Sequence, residues 1–150
     1  MRFVLAILIG AGIAAAQNQG CPVTQPPRPA FVPPAPYPKS VNGGFYYGTP
    51  KLWVYVFNSP WRGPVWDIGI REKVSWWAEG YDSHRNPPPL IITGRRIDGE
   101  SAPLIARANW SNLNDGTSFI MSGVNFPKPG CWEITGLLNG AETKFVVKVE

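Results

Sequence analysis

The sequence predicts an all-β protein, an immunoglobulin-like antiparallel β-sandwich of seven or eight short strands. Three observations support this fold class: runs of β-branched and aromatic residues from residue 45 onward, turn residues between the runs, and no helical periodicity that lasts more than a turn. Short strands that recur at intervals of about 8–12 residues, with polar turns between them, are typical of two-sheet sandwiches.

Five runs predict the strands that precede the C-terminal hairpin. Residues 51–57 are apolar on both faces, which is typical of a central strand. Residues 70–77 alternate between apolar and polar side chains, which predicts one buried face and one outward face. The remaining runs are residues 90–95, 104–108 and 118–126.

The clearest hairpin signal lies between residues 130 and 149. Asn139-Gly140 separates two runs of alternating apolar residues, and this pair favours a type I′ turn because both central residues need a positive φ. Residues 129–134 (PGCWEI) are similar to the start of the penultimate strand of immunoglobulin-like domains, where a Pro-Gly turn precedes a buried aromatic residue. Trp132 is therefore expected in the core.

The sequence divides into three parts. Residues 1–16 combine a basic start, an apolar run and three alanines, which predicts a secretory signal peptide that ends before Gln17. Residues 17–44 are a proline-rich tail with eight prolines between residues 22 and 39, and residues 45–150 are the sandwich domain. The tail is either a stiff polyproline spacer or an ordered segment that wraps over the domain.

The chain contains two cysteines, Cys21 and Cys131, and the predicted signal peptide places both outside the cytoplasm. An even number of cysteines in an oxidising compartment favours a disulfide over metal binding or catalysis. The bridge would close a loop of about 110 residues, which is worth about 4–5 kcal/mol in the chain-entropy model. We expect a secreted or periplasmic protein whose tail is joined to its domain.

The charge argues against nucleic-acid binding, and the apolar content argues against a membrane span after the signal peptide. Loss of Arg2 with the signal peptide lowers the formal net charge from +4 to +3, which is too weak to indicate nucleic-acid binding. No later apolar segment is long enough to span a bilayer. The sequence comes closest to a basic cluster with Arg71, Lys73, Arg95, Arg96 and Arg107. We interpret these residues as outward-facing strand positions.

Metal and cofactor binding are not expected. His84 is the only histidine, and Asp82 beside it would complete no more than a weak two-ligand site. No phosphate-cradling glycine loop or catalytic nucleophile motif is present in the sequence.

Seven tryptophans exceed what the core of one small domain usually holds. Trp76 and Trp77 are adjacent on a predicted strand, so their side chains point to opposite faces, and Trp77 shares the face of Arg71 and Lys73 if Trp76 is inside. The predicted ligand-binding residues are Trp77, Arg71, Lys73, Trp61, Trp66 and Tyr81. Either this aromatic row is exposed, as in carbohydrate-binding modules, or the proline-rich tail covers it.

The function that these observations favour is a non-enzymatic binding or structural module whose partner is a protein or a cell-envelope polymer. The first alternative is a carbohydrate- or cell-wall-binding module that uses the aromatic row. The second is a small secreted hydrolase that uses Glu79 and Asp82, although nothing in the spacing of the carboxylates selects a pair.

Four segments, residues 45–53, 71–77, 90–99 and 130–136, together resemble a group of small secreted bacterial proteins, and the similarity spans nearly all of residues 45–149. The resemblance implies a bacterial, exported, single-domain β protein. It offers no catalytic residues, so it supports the predicted fold and location and leaves the ligand open.

Overall fold

The computed structural model describes residues 20–39, 42–85, 87–112 and 117–150, without the side chains of residues 110–112. The predicted signal peptide, residues 1–16, lies outside the described residues. The strands are β1 (Gly44–Thr49), β2 (Leu52–Phe57), β3 (Val65–Trp66), β4 (Gly69–Trp77), β5 (Ile91–Arg96), β6 (Ile105–Asn112), β7 (Ser118–Phe126), β8 (Gly130–Leu138) and β9 (Ala141–Val149). One short 3₁₀ helix spans Ser83–Arg85.

The strands form two antiparallel sheets. One has the order β1-β2-β4-β7-β6, with β3 paired to β4, and the other has the order β5-β8-β9. Without β1 and β3, this order equals the four-plus-three arrangement of immunoglobulin constant-type domains. The predicted all-β sandwich is therefore confirmed, with eight strands of at least six residues and a two-residue β3.

The main core lies between the two sheets and is built around large aromatic side chains. Trp76, Trp132, Phe126 and Phe145 are all fully buried. Trp76 packs so closely on β8 that a Cβ at Gly136 would lie 2.4 Å from its ring. Glycine at this position therefore lets the indole approach the backbone of the opposite sheet.

The C-terminal hairpin has the predicted turn. Asn139 and Gly140 have φ angles of 46° and 79°, and both lie in the left-handed region that a type I′ turn requires. Trp132 on the first strand of the hairpin is fully buried, as the sequence predicts.

The tail is ordered against the domain, and Cys21 is bonded to Cys131 with a Cα–Cα distance of 5.5 Å. Thr24 pairs with β9, because its backbone N–H donates to the Val146 carbonyl and its hydroxyl accepts from the Val146 N–H. A second segment continues along the same edge: the N–H of Trp61 donates to Lys148, and the N–H of Glu150 donates to Trp61. The C-terminal part of the outer edge of β9, from Val146 onward, is therefore hydrogen-bonded.

A second apolar cluster lies on the outer face of the larger sheet. Its buried members are Tyr37, Tyr46, Trp53, Trp77 and Phe119, and Phe31, Tyr55 and Met121 pack against them. Two of these residues, Phe31 and Tyr37, belong to the tail. No helix in the described part of the chain is long and apolar enough to cross a bilayer.

Candidate functional site

The predicted aromatic row is not formed. Trp61 is 2% exposed and lies in the core, where its ring contacts those of Phe126 and Phe145. Tyr81 is half-buried and packs against the main core. Of the four predicted aromatic residues, Trp66 is the one with a largely exposed side chain, at 55%. The expectation that Trp61 would extend an exposed row is therefore wrong, because its segment is bound to the edge of β9.

The tail covers the face that carries Trp77. Trp77 is only 7% exposed, and its ring is stacked on that of Trp53 at a centroid distance of 6.4 Å. Tyr37 from the tail contacts Trp53 edge-on at 4.9 Å, and its hydroxyl donates a buried hydrogen bond to the Ala78 carbonyl. For Trp77 the structure therefore agrees with the alternative of a covered face and not with that of an exposed ring.

The other half of the same sheet face carries exposed cations. Arg71 and Lys73 project outward from β4, and Arg107 projects from the edge strand β6. Both Lys73 and Arg107 are in register with Gly123 on the intervening strand, so their Cα atoms lie about 10 Å apart. The Arg71 guanidinium lies over the same glycine, with Nη2 3.4 Å from its ideal Cβ position. We call these three cations the basic band.

The basic band has no carboxylate partner among the described residues. Ion pairs elsewhere on the described surface use other cations: Arg62, Arg85, Arg95, Arg96, Lys144 and Lys148. Arg71 instead places its guanidinium 5.6 Å from the centre of the Trp66 ring, a cation–π contact that orients it. The band therefore presents a net positive face, whereas Arg95 and Arg96 on the other sheet are neutralised by Glu133 and Asp98.

Exposed apolar side chains lie at the end of the sheet next to the basic band. Val65, Trp66 and Ile68 occupy the hairpin between β3 and β4 and are 81%, 55% and 56% exposed. We call these three residues the apolar tip. Ile105, 51% exposed, starts the edge strand β6 at the same end. An open groove of about 500 Å³ runs from Trp66 past Arg71 to Lys73.

Glu72 lies at the wall of this groove and is half-buried. Burial raises the pKa of its carboxyl, and hydrogen bonds from the backbone N–H groups of Lys73 and Gly63 partly offset that rise. Because the folded state holds the proton more tightly than the unfolded state, ionised Glu72 lowers the stability of the fold. That loss is absent below the usual pKa of 4.5 and develops as the pH rises through the raised value.

We therefore expect Glu72→Gln to raise the free energy of unfolding at neutral pH. The gain should disappear near pH 3, where glutamate is neutral in both states, and urea unfolding at the two pH values measures it. Equal stability of wild type and variant at neutral pH would contradict a raised pKa for Glu72.

Glu79 and Asp82, the carboxylates of the hydrolase alternative, line a second open pocket of about 460 Å³. Tyr81 lines the same pocket. Asp82 accepts a hydrogen bond from the backbone N–H of His84 and forms an ion pair with Arg85 at 3.1 Å. Its carboxylate thus stabilises the local turn. The described residues hold no group of three or more metal-ligating side chains.

Sequence reasoning missed the exposure of Val65 and Ile68, and it placed Arg107 with Arg71 and Lys73 only in a wider group that included Arg95 and Arg96. Val65 and Ile68 gave no signal of exposure, because single apolar residues in a loop are as often buried. Arg107 joins the band only through the register of β6 on β7, which pairs residues 16 positions apart. Comparison of the chain with protein-family models, with curated proteins and with solved structures finds no match. The resemblance to small exported bacterial proteins stays a prediction.

Proposed function

We propose that this protein is an extracytoplasmic, non-enzymatic binding module of the cell envelope, and that its contact surface is the apolar tip together with the basic band. The observation that carries the proposal is that exposed apolar groups and cations without carboxylate partners lie side by side at one end of the sandwich. Clustered exposed apolar groups mark interaction sites, and an uncompensated positive face attracts anionic partners.

The extracytoplasmic location is supported by the Cys21–Cys131 bond, since structural disulfides persist in oxidising compartments and are rare in the cytosol. The predicted signal peptide supports the same location. The covered Trp77 and the buried Trp61 remove the aromatic row on which the carbohydrate-binding alternative was based. Trp66 remains as the aromatic member of the contact surface.

Sedimentation with isolated cell envelopes tests the proposal. The comparison uses the wild type, a band variant (Arg71→Gln, Lys73→Gln, Arg107→Gln) and a control variant that loses three exposed cations elsewhere (Arg28→Gln, Lys51→Gln, Lys128→Gln). Both variants have the same net charge, and neither loses a cation of the ion pairs named above.

We expect the wild type and the control variant to sediment with the envelopes and the band variant to stay in solution at physiological salt. Absence of envelope binding by the wild type, or equal binding by the band variant and the control variant, would contradict the proposed function.

A further inference from the structure

We infer that the envelope component which this surface contacts is a bilayer rich in anionic lipid: the apolar tip inserts between the headgroups and the basic band binds lipid phosphates. This inference rests on the proposed function and names its ligand.

The order of side chains matches the order of layers in a bilayer surface. Gly69 ends the tip hairpin, Arg71 follows two residues later and Lys73 four residues later. At about 3.4 Å per residue, the Cα of Arg71 lies roughly 7 Å behind the tip and that of Lys73 roughly 14 Å. The Arg71 guanidinium reaches back over Gly123, which is in register with Lys73, so its charge lies near the level of Lys73. The polar layer of each leaflet is about 5–8 Å thick. A tip that reaches the edge of the acyl chains therefore places the charge of Arg71, with those of Lys73 and Arg107, at the outer edge of the headgroup layer.

Lys73 and its neighbour across β7, Arg107, would then lie just outside the headgroups. The Debye length at physiological salt is about 8 Å, so both cations still attract an anionic surface at that distance. The cation–π contact with Trp66 holds the guanidinium of Arg71 against the same end of the sheet. All three cations of the basic band therefore attract the same membrane surface.

The tip can enter a layer of low water content because its two strand segments are paired with each other. Val65 is in register with Ile70 and Trp66 with Gly69, and the N–H of Arg71 donates to the Pro64 carbonyl. Unpaired backbone groups would make insertion costly. The carboxylate of Asp67, which is exposed within the tip, opposes an anionic surface and keeps the insertion shallow.

The side chains of the tip favour a lipid over a glycan or a nucleic acid. Tryptophan is enriched at membrane interfaces because its ring is apolar and its N–H is polar. Val65 and Ile68 are aliphatic, so they offer no flat ring for stacking on a sugar or a base. Acyl chains, in contrast, bury aliphatic groups favourably.

Flotation with synthetic vesicles tests the inference on the full chain, exported and purified with its disulfide intact. One set of vesicles contains phosphatidylcholine alone, and the other contains phosphatidylcholine with about one third phosphatidylglycerol. Purified peptidoglycan sacculi form a third arm. Besides the band and control variants, the test uses a tip variant (Val65→Ser, Ile68→Ser) and Asp67→Asn, all at exposed positions. Thermal melts verify that each variant is folded.

We expect the wild type to float with the anionic vesicles, to ignore neutral vesicles and sacculi, and to dissociate as salt is added. Each cation near an anionic surface contributes about fivefold in affinity, so the band variant should lose about 100-fold or more. The tip variant should lose about tenfold, since two partly inserted aliphatic side chains become polar. Asp67→Asn should gain about fivefold, and the control variant should change less than twofold.

Asp67→Asn is the most discriminating variant, since loss of its carboxylate increases binding to anionic vesicles only if this turn faces the membrane surface. Wild-type binding to sacculi with none to vesicles would overturn the lipid inference and leave the proposed envelope function intact. Unchanged vesicle binding by the tip variant would also overturn it. Absence of wild-type binding to whole envelopes would instead contradict the proposed function itself.

Discussion

Replacing Trp77 by alanine should lower the free energy of unfolding by about 3–5 kcal/mol, the usual cost of removing a buried tryptophan. The ring is 7% exposed and contacts the rings of Trp53, Tyr46 and Phe119. Its removal would leave a cavity under the tail, where Tyr37 packs on Trp53. Urea unfolding followed by circular dichroism measures the change, which should appear as a lower midpoint with an unchanged slope.

Two further variants separate burial from a surface role. Trp66→Ala removes an equally large side chain that is 55% exposed, and it should cost less than about 1 kcal/mol. Trp77→Phe keeps most of the ring contacts and removes an indole N–H that has no hydrogen-bond partner among the described residues, so it should cost much less than alanine. If Trp77→Ala were as mild as Trp66→Ala, the tail would not cover this face in solution.

Removing the disulfide by Cys21→Ser together with Cys131→Ser should cost about 5 kcal/mol. The bond closes a loop with a sequence separation of 110 residues, and in the chain-entropy model the loss of that constraint stabilises the unfolded state by this amount. The free energy of unfolding of a domain of this size is about 5–15 kcal/mol, so the double variant should be marginally stable. Differential scanning calorimetry of the oxidised, reduced and double-serine forms measures the effect.

The disulfide prediction has its own chemical control. When the protein is treated with an alkylating reagent, its intact mass should rise by two alkyl groups if it has been reduced first and by none if it has not. Reduction should also increase the proteolysis of residues 22–39, because Thr24 then holds the start of the tail on β9 mainly by hydrogen bonds. An unchanged melting temperature after complete reduction would contradict the constraint argument.

Local patterns in the sequence predicted most of the fold. The type I′ turn at Asn139-Gly140 depends on the φ preference of two residues, and the alternation in residues 70–77 depends only on the period of a strand. Both signals are short-range, so the sequence shows them directly. The outward direction of Trp77 was also predictable, since it follows from its position beside Trp76.

The candidate site was less predictable because it depends on contacts between distant segments. Trp77 lies in an apolar cluster that is completed by a tail about 40 residues earlier, and composition alone could not separate a wrapped tail from a free spacer. Trp61 enters the core because its backbone pairs with β9, almost 90 residues later. The exposure of Val65 and Ile68 follows from the hairpin that carries them beyond the sheet edge.

The hydrogen bonds at the outer edge of β9 affect how this protein can associate with other copies of itself. The last strand of a sandwich is the natural place for strand exchange, because its free N–H and C=O groups can recruit a strand from another chain. Here the backbone groups of Val146, Lys148 and Glu150 are already bonded to Thr24, Ser59 and Trp61. A strand from another copy that paired with residues 146–150 would therefore have to displace these segments of the chain itself.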